Sequence, residues 1–262
     1  MSPLTVAGVL GSVAAVGLTA AAVLRQPPPL TPASADRTPV IVELFTSEGC
    51  SSCPPADAVL SDLVSAQPVG HALVIGLSEH VDYWDNLGWK DPFSNHKFTE
   101  RQSAYAAAAN EADIYTPEMV VDGSAAFVGS DRQAALSEIS RAASHGKSTL
   151  RAVWANGAPR ALIVDAPEGS VPSNASVVLA IVEDHLTSSV TRGENKGHQL
   201  SHTAVTRSLA TLGAVAKDGS FHTSAKIDTL PGWNLTALHA VVFVQLEHFG
   251  RILAAASVPF GS

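Results

Sequence analysis

The sequence predicts an α/β domain over residues 36–147, followed by an all-β, sandwich-like domain over residues 148–262. Up to residue 146, apolar runs typical of buried strands alternate with stretches of helical periodicity. After that point, short β-rich runs are separated by turn residues. The chain has 262 residues, 46% of them apolar, which is enough to build two domains.

An apolar segment precedes both domains. Residues 2–24 contain no charged side chain, and Arg25, a Pro-rich stretch and Ala-Ser-Ala at 33–35 follow. Small residues at this spacing are typical of signal-peptidase sites, so we expect residues 1–35 to be an export signal that ends near Ala35. The alternative is an uncleaved N-terminal membrane anchor, because the run is long enough to span a bilayer. In both cases the protein is exported, and its folded part is periplasmic or extracellular.

The charge balance argues against nucleic acid as a partner. The chain has 24 acidic and 16 basic residues, which gives a formal charge of −8. Phosphate binding needs a basic surface, so no nucleic-acid partner is expected.

The first domain begins with a predicted strand–helix–strand unit. Residues 40–45 and 72–77 are apolar runs typical of buried strands. Between them, apolar positions recur at the i, i+3, i+4 spacing of a helix on a core: Ala56, Val59, Leu60, Leu63 and Val64. Two strands joined by a helix are expected to be parallel, with a right-handed crossover.

The rest of this domain is predicted as helix, strand, helix. Residues 93–110 have a helical pattern, with Ser94 as the expected cap. Residues 119–121 form a short strand before a turn. Ser130 and Gln133 fit a capping box, and the helix that follows is expected to end at Gly146.

Beyond residue 147 the pattern is all-β. Seven short runs are rich in strand-forming residues: 150–154, 161–165, 177–183, 203–209, 221–227, 238–246 and 252–258. Turn residues separate them, as is typical of an antiparallel sandwich.

The sharpest chemical signal is a Cys-x-x-Cys motif between the first strand and the first helix. Cys50 and Cys53 are the only cysteines. A structural disulfide this short would constrain the unfolded chain weakly. A dithiol at a helix N-terminus, in contrast, has its thiolate favoured by the free amides and the helix dipole. We expect Cys50 to be the exposed, reactive thiol and Cys53 to be its buried partner.

Two further ionisable residues are candidates for the same site. Glu43 lies within an apolar strand, where a desolvated carboxyl group could take a proton from Cys53. The alternative is a structural Glu43 paired with Lys or Arg. His80 follows the neighbouring strand, so it is expected at the same sheet edge as the cysteines. It could carry protons, orient a substrate or bind a metal, or be a loop histidine bonded to a carbonyl.

Thr116 and Pro117 precede the third predicted strand and complete the candidate site. The order strand, Cys-x-x-Cys, helix, strand, Thr-Pro, strand, helix resembles a thioredoxin fold with a helical insertion at about 82–112. The resemblance implies that the Thr116–Pro117 bond is cis and lies against the dithiol.

A closer resemblance rests on four longer motifs. They are ELFTSEGCSSCPPAD at 43–57, HVDYWD at 80–85, GWKDPF at 88–93 and YTPEMVVDG at 115–123. They resemble a bacterial family of exported thioredoxin-like proteins of unknown function. The family also has a motif like Gly-Glu-Asn-Lys-Gly at 193–197. The resemblance indicates that this loop reaches the dithiol or a partner, whereas by itself it is typical of a hairpin tip.

The expected function is thiol–disulfide exchange with protein thiols, without a cofactor. The residues expected to form the site are Cys50, Cys53, Thr116, Pro117, Glu43 and His80. The alternative is a copper(I)-binding protein or metallochaperone with Cys50, Cys53 and His80 as ligands, because thiolates and imidazole suit a soft ion.

Overall fold

The structure is a computed structural model that describes Met1 and residues 37–156 and 160–260. The predicted leader at 1–35 lies, apart from Met1, outside these residues. In the described part of the chain no helix is both long and apolar enough to cross a membrane.

The described residues from 37 to 147 contain four strands and three helices. In order they are β1 (Thr38–Thr46), α1 (Pro54–Ala66), β2 (Ala72–His80), α2 (His96–Ala108), β3 (Glu118–Val121), β4 (Ala125–Val128) and α3 (Arg132–Ala143). Helix α1 begins directly after Cys53, with prolines in its first turn, where a missing N–H costs no helical hydrogen bond.

The caps of α2 and α3 lie one residue later than predicted. Asn95, not Ser94, caps α2 and accepts a hydrogen bond from the Lys97 amide. Asp131, not Ser130, caps α3 and accepts one from the Ala134 amide. Each predicted serine is next to a side chain that also caps well, and the sequence pattern does not distinguish between the two.

The second half of the chain contains nine strands among the described residues. They are β5 (Arg151–Trp154), β6 (Ala161–Ala166), β7 (Ala175–Glu183), β8 (Leu186–Ser189), β9 (Gln199–His202), β10 (Val205–Ala214), β11 (Phe221–Lys226), β12 (Leu238–Leu246) and β13 (Ile252–Pro259). A short 3-10 helix, Leu235–Ala237, precedes β12.

One mixed sheet joins the two halves of the chain. Its eight strands have the order β13-β12-β7-β10-β2-β1-β3-β4. Strands β1 and β2 are parallel, as predicted, and β3 is antiparallel to β1. Strand β10 is parallel to β2, and the Ser78 amide donates to the Ala204 carbonyl at 2.7 Å.

The predicted division at residue 147 is therefore wrong as a boundary between separate domains, and no separate β-sandwich forms among the described residues. The described residues from 37 onward make one compact unit. The physical reason is the open edge of β2, whose main-chain groups need partners and find them in β10. Hydrophobic periodicity shows where strands are, but it does not show which strands pair.

The sheet is covered on both faces. Val42 and Leu44 of β1 pack with α1 and α3 on one face. Phe45 packs with Phe98 and Tyr105 of α2 on the other. A smaller sheet, β11-β6-β5, shares a third core with β7 and β12. The two-layer packing expected of the second half is thus present locally, but one of its layers belongs to the common sheet.

Candidate functional site

Cys50 and Cys53 form a disulfide in the loop between β1 and α1. Cys53 is the residue at which α1 begins, and its amide donates to the Cys50 carbonyl at 3.2 Å. Both cysteines are 0% exposed, so the expectation that Cys50 is the exposed sulfur is wrong for this structure. Ser51 and Ser52 between them are exposed.

The distant loop at 193–197 is bonded to the main chain around Cys50. The side-chain amide of Asn195 donates to the main-chain carbonyls of Glu48 and Cys50, both at 2.9 Å. The Ser51 amide donates to the Glu194 carboxylate at 2.9 Å. The loop therefore reaches the main chain of the cysteine loop, whereas its contact with a partner stays a prediction.

Trp84 connects the cysteine loop to Thr116. Its ring nitrogen donates to the Thr116 hydroxyl at 2.8 Å. A β-carbon placed on Gly49 would lie 3.2 Å from Cβ of Trp84, so the two segments are in close contact. The Thr116–Pro117 bond is cis, as predicted. Thr116 is thus linked to the residue before Cys50 through one indole side chain.

A buried carboxylate, Glu48, lies two residues before Cys50 and is 1% exposed. It accepts hydrogen bonds from the indole of Trp89 at 2.8 Å, from the ring of His202 at 2.9 Å and from the Ser188 hydroxyl. Two of these partners belong to the β8–β9 hairpin. Glu48 therefore fastens that hairpin to the cysteine loop.

His80 lies at the end of β2, directly opposite Thr46 at the end of β1. It is fully buried, and its Nδ1 lies 2.7 Å from the Asp91 carboxylate. Asp91 also accepts a hydrogen bond from the Glu48 amide, at 2.8 Å. His80 is therefore connected to the cysteine loop through Asp91, and it is neither a surface histidine nor a partner of a carbonyl.

Sequence reasoning missed Asp57, which lies one turn after Cys53 on α1. Its carboxylate accepts a hydrogen bond from Thr46 at 2.9 Å. Burial of this group raises the pKa of Asp57, and the neighbouring His80 and His202 oppose that rise. The residue is half-buried at a surface cleft between α1 and β9. The i, i+4 spacing from Cys53 was the signal available in the sequence.

Glu43 does not belong to the site. It is fully buried, and it accepts hydrogen bonds from Arg101 at 2.5 Å and Tyr105 at 2.6 Å, on the face covered by α2. Side chains alternate along a strand, so Glu43 points away from α1. The alternative of a structural Glu43 paired with Arg is what the structure has, in the interior of the sheet rather than at its edge.

Two buried ring nitrogens near the site have no hydrogen-bond partner among the described residues: Nε2 of His80 and Nδ1 of His202. The two rings are in contact, with their centroids 4.9 Å apart. Within the described part of the chain, no three His, Cys, Asp or Glu side chains are grouped so as to hold a metal ion.

Comparison with known families identifies the chain. Residues 41–245 match a family described as protein of unknown function (DUF1223). The chain belongs to this family. The DUF1223 match spans both halves of the common sheet and includes the cysteine loop and the 193–197 loop. No curated protein is significantly similar in sequence.

Two solved structures resemble this DUF1223 protein. One is protein AGR_C_4864 from Agrobacterium tumefaciens, a structural-genomics target. It has 24% identity and a TM-score of 0.67, and the match covers 86% of this chain and 96% of that chain. At this identity it shows the fold alone. The other is a domain of the outer membrane lipoprotein Omp28 from Porphyromonas gingivalis, with 13% identity, a TM-score of 0.27 and coverage of 44% and 88%.

Proposed function

We propose that this protein is an extracytoplasmic thiol–disulfide oxidoreductase that acts on protein thiols through Cys50 and Cys53. One observation carries the proposal: the only two cysteines form a disulfide between a strand end and a helix start. Glu48 and Asp57 lie on either side of it in the chain, and the imidazole of His202 is bonded to Glu48. A disulfide that closes so short a loop adds little to the stability of the folded state, so stability alone is a weak reason for having it.

The architecture of the first half supports a thioredoxin-like assignment for residues 36–147. Strands β2-β1-β3-β4 are neighbours in that order, with β1 and β2 parallel. Helices α1 and α3 share one face, and α2 covers the other. Strands β10, β7, β12 and β13 then extend the sheet beyond β2.

The proposed reaction balances without a cofactor. A substrate thiolate attacks Sγ of Cys50, forms a mixed disulfide with it, and releases Cys53 as a thiolate that takes up a proton. A second substrate thiolate then attacks the substrate sulfur of the mixed disulfide and releases the Cys50 thiolate. Two electrons pass from the substrate dithiol to the protein. The same steps in reverse oxidise the protein dithiol and reduce a substrate disulfide.

Asp57 is the proposed proton carrier, in place of Glu43. It lies on the helix that begins at Cys53 and borders a cleft that solvent reaches. Its raised pKa brings it closer to neutral pH, where proton transfer is most effective. His80 assists by holding positive charge nearby, since Asp91 raises its pKa against the effect of burial.

The test starts with the purified disulfide form and a reduced, unfolded substrate protein. Wild type should gain two thiols for every disulfide formed in the substrate protein. Cys53→Ser, reduced and then given a substrate protein with a disulfide, should accumulate a mixed disulfide at Cys50, and Cys50→Ser should accumulate none. Absence of thiol transfer by wild type would exclude the proposed activity.

Copper binding gives a different result in the same experiments. Reduced wild type would then retain copper(I) through gel filtration, measured by mass spectrometry. Loss of either cysteine would abolish that retention, and neither variant would accumulate a mixed disulfide.

A further inference from the structure

Two adjacent side chains from the second half of the chain bond the main chain of the loop that holds the disulfide. Asn195 is 7% exposed and lies over the cysteine loop, whereas Glu194 beside it is exposed. No thiol reaches a sulfur that is 0% exposed, because exchange requires approach in line with the S–S bond. The proposed function therefore requires a segment beside the disulfide to move, and the 193–197 loop is bonded directly to the main chain of Cys50 and Ser51.

The hydrogen bonds from this loop to the cysteine loop are all of one kind. Asn195 offers amide N–H donors to the carbonyl oxygens of Glu48 and Cys50. Glu194 offers a carboxylate oxygen to the Ser51 amide. In each case a side chain bonds a main-chain group of the cysteine loop. A polypeptide main chain supplies the same donor and acceptor types, an N–H and a carbonyl oxygen.

The loop can move without disturbing the main sheet. Strands β8 and β9 form their own two-stranded sheet. Such an isolated hairpin has little stability of its own. Its two strands are fastened to Glu48 by Ser188 and His202, and the tip lies beyond these anchors. Opening the tip breaks the three hydrogen bonds above and separates Gly193 from Trp89, while the two strands stay bonded to Glu48.

We propose that Asn195 and Glu194 are a displaceable cover, and that an extended polypeptide substrate replaces their hydrogen bonds on Glu48, Cys50 and Ser51 with its own main chain. The inference rests on the proposed function and adds its substrate class. When a polypeptide enters, the three hydrogen bonds made by Asn195 and Glu194 are replaced by three to the main chain of the polypeptide. A small thiol cannot replace them, so the two carbonyls and the Ser51 amide are then left to bond water.

The cover is tested on the full chain in its disulfide form, with dithiothreitol as reductant. Dithiothreitol forms its own cyclic disulfide and leaves two protein thiols, which are counted by alkylation and mass spectrometry. Asn195→Asp keeps the side-chain shape but removes both donors, so reduction should be roughly tenfold faster, the factor that about one net hydrogen bond contributes. Asn234→Asp is the matched control, because Asn234 only accepts through its side chain. Its rate should equal that of wild type.

Glu194→Ala is a second variant that keeps the test decisive if Asn195→Asp does not fold. Glu194 is exposed, so its removal leaves the core intact, and reduction should still be a few-fold faster because one hydrogen bond is lost. If both Asn195→Asp and Glu194→Ala are reduced at the wild-type rate, Asn195 and Glu194 do not cover the disulfide.

The polypeptide part is tested with two unstructured peptides, each with two reduced cysteines. One has ordinary main-chain amides, and the other has N-methyl groups on the residues beside the cysteines, which removes the donors needed for Glu48 and Cys50. After normalisation to their rates with oxidised glutathione, the ordinary peptide should reduce the protein about tenfold faster. Equal rates would overturn main-chain recognition.

Failure of the inference and failure of the proposed function remain distinguishable. If dithiothreitol reduces Asn195→Asp faster than wild type but neither peptide exchanges with wild type, the proposed exchange with protein thiols is wrong. The inference that Asn195 covers the disulfide is then still supported. If both peptides exchange at equal rates, the function stands and main-chain recognition is wrong.

Discussion

Nδ1 of His80 lies 2.7 Å from Oδ2 of Asp91, and neither side chain is exposed to solvent. Burial acts to lower the pKa of His80, but Asp91 outweighs it and the pKa is raised. Burial acts to raise the pKa of Asp91, and His80 and main-chain donors outweigh it, so that pKa is lowered. The charged pair thus stabilises the fold fully between about pH 4 and about pH 6.5, the ordinary values of the two groups. The contribution is lost as pH rises through the raised His80 pKa or falls through the lowered Asp91 pKa.

Asp91→Asn should remove this contribution and leave His80 buried without its counter-charge. We expect the free energy of unfolding to fall by about 3 kcal/mol at pH 6, the usual cost of breaking a buried ion pair. Urea unfolding across the pH range measures it. Asp62→Asn is the control, because Asp62 pairs with Arg132 at the surface and should cost under about 1 kcal/mol. An equal loss of unfolding free energy in the two variants would show that the buried pair stabilises the fold no more than the surface pair does.

Ser52 should set the acidity of the Cys50 thiol once the disulfide is reduced. The Ser52 hydroxyl lies 3.3 Å from Sγ of Cys50 and, because the bonded sulfur has no hydrogen, it is the donor. A hydrogen bond to the thiolate favours the charged form, so Ser52→Ala should raise the pKa of Cys50. Thiolate absorbance against pH measures this in a Cys53→Ser background. Ser51→Ala is the control, and an unchanged titration in Ser52→Ala would contradict the assignment.

Local features of the site followed from sequence, whereas long-range pairings did not. The strand before Cys50, the helix after Cys53 and the placement of His80 beside them follow from apolar periodicity and parallel strand geometry. The bond from Asn195 to the Cys50 carbonyl joins residues 145 positions apart, which no periodicity encodes. The burial of Cys50 is likewise a property of the folded chain that no local pattern shows.

The proton-carrier alternative for Glu43 is wrong for a related reason, and the alternative of a Glu43 paired with Arg is confirmed. An acid within an apolar strand is visibly unusual, so Glu43 attracted the functional interpretation. Its partner Arg101 lies 58 residues away on α2, and only the folded chain shows that the acid is neutralised there. Asp57 looks like an ordinary acid in the first turn of a helix, where such residues are common.

Glu43→Gln should separate stability from activity. Glu79 would then be the only acidic partner of Arg101, and the pKa of Glu79 is raised by burial and by Glu43. We expect a loss of about 3 kcal/mol in the free energy of unfolding from the weakened buried pair. The rate of thiol exchange should stay within about twofold of wild type, because Glu43 lies on the face away from α1. A much larger loss of exchange rate in folded Glu43→Gln would restore Glu43 as a proton carrier.

Gly129 packs where β1, α1 and the Thr116–Pro117 segment meet. A β-carbon on Gly129 would lie 2.7 Å from Leu44 and 3.2 Å from Ala56, with Pro117 at 3.4 Å. The Gly129 amide also donates to the Pro117 carbonyl at 2.9 Å, so the backbone cannot retreat without losing a hydrogen bond. Gly129→Ala should therefore cost about 1–3 kcal/mol through overpacking, measured by urea unfolding. Gly146→Ala is the matched control, because a β-carbon there meets nothing within 4 Å. If Gly129→Ala is as stable as Gly146→Ala, the close packing of β1, α1 and Pro117 at this point is wrong.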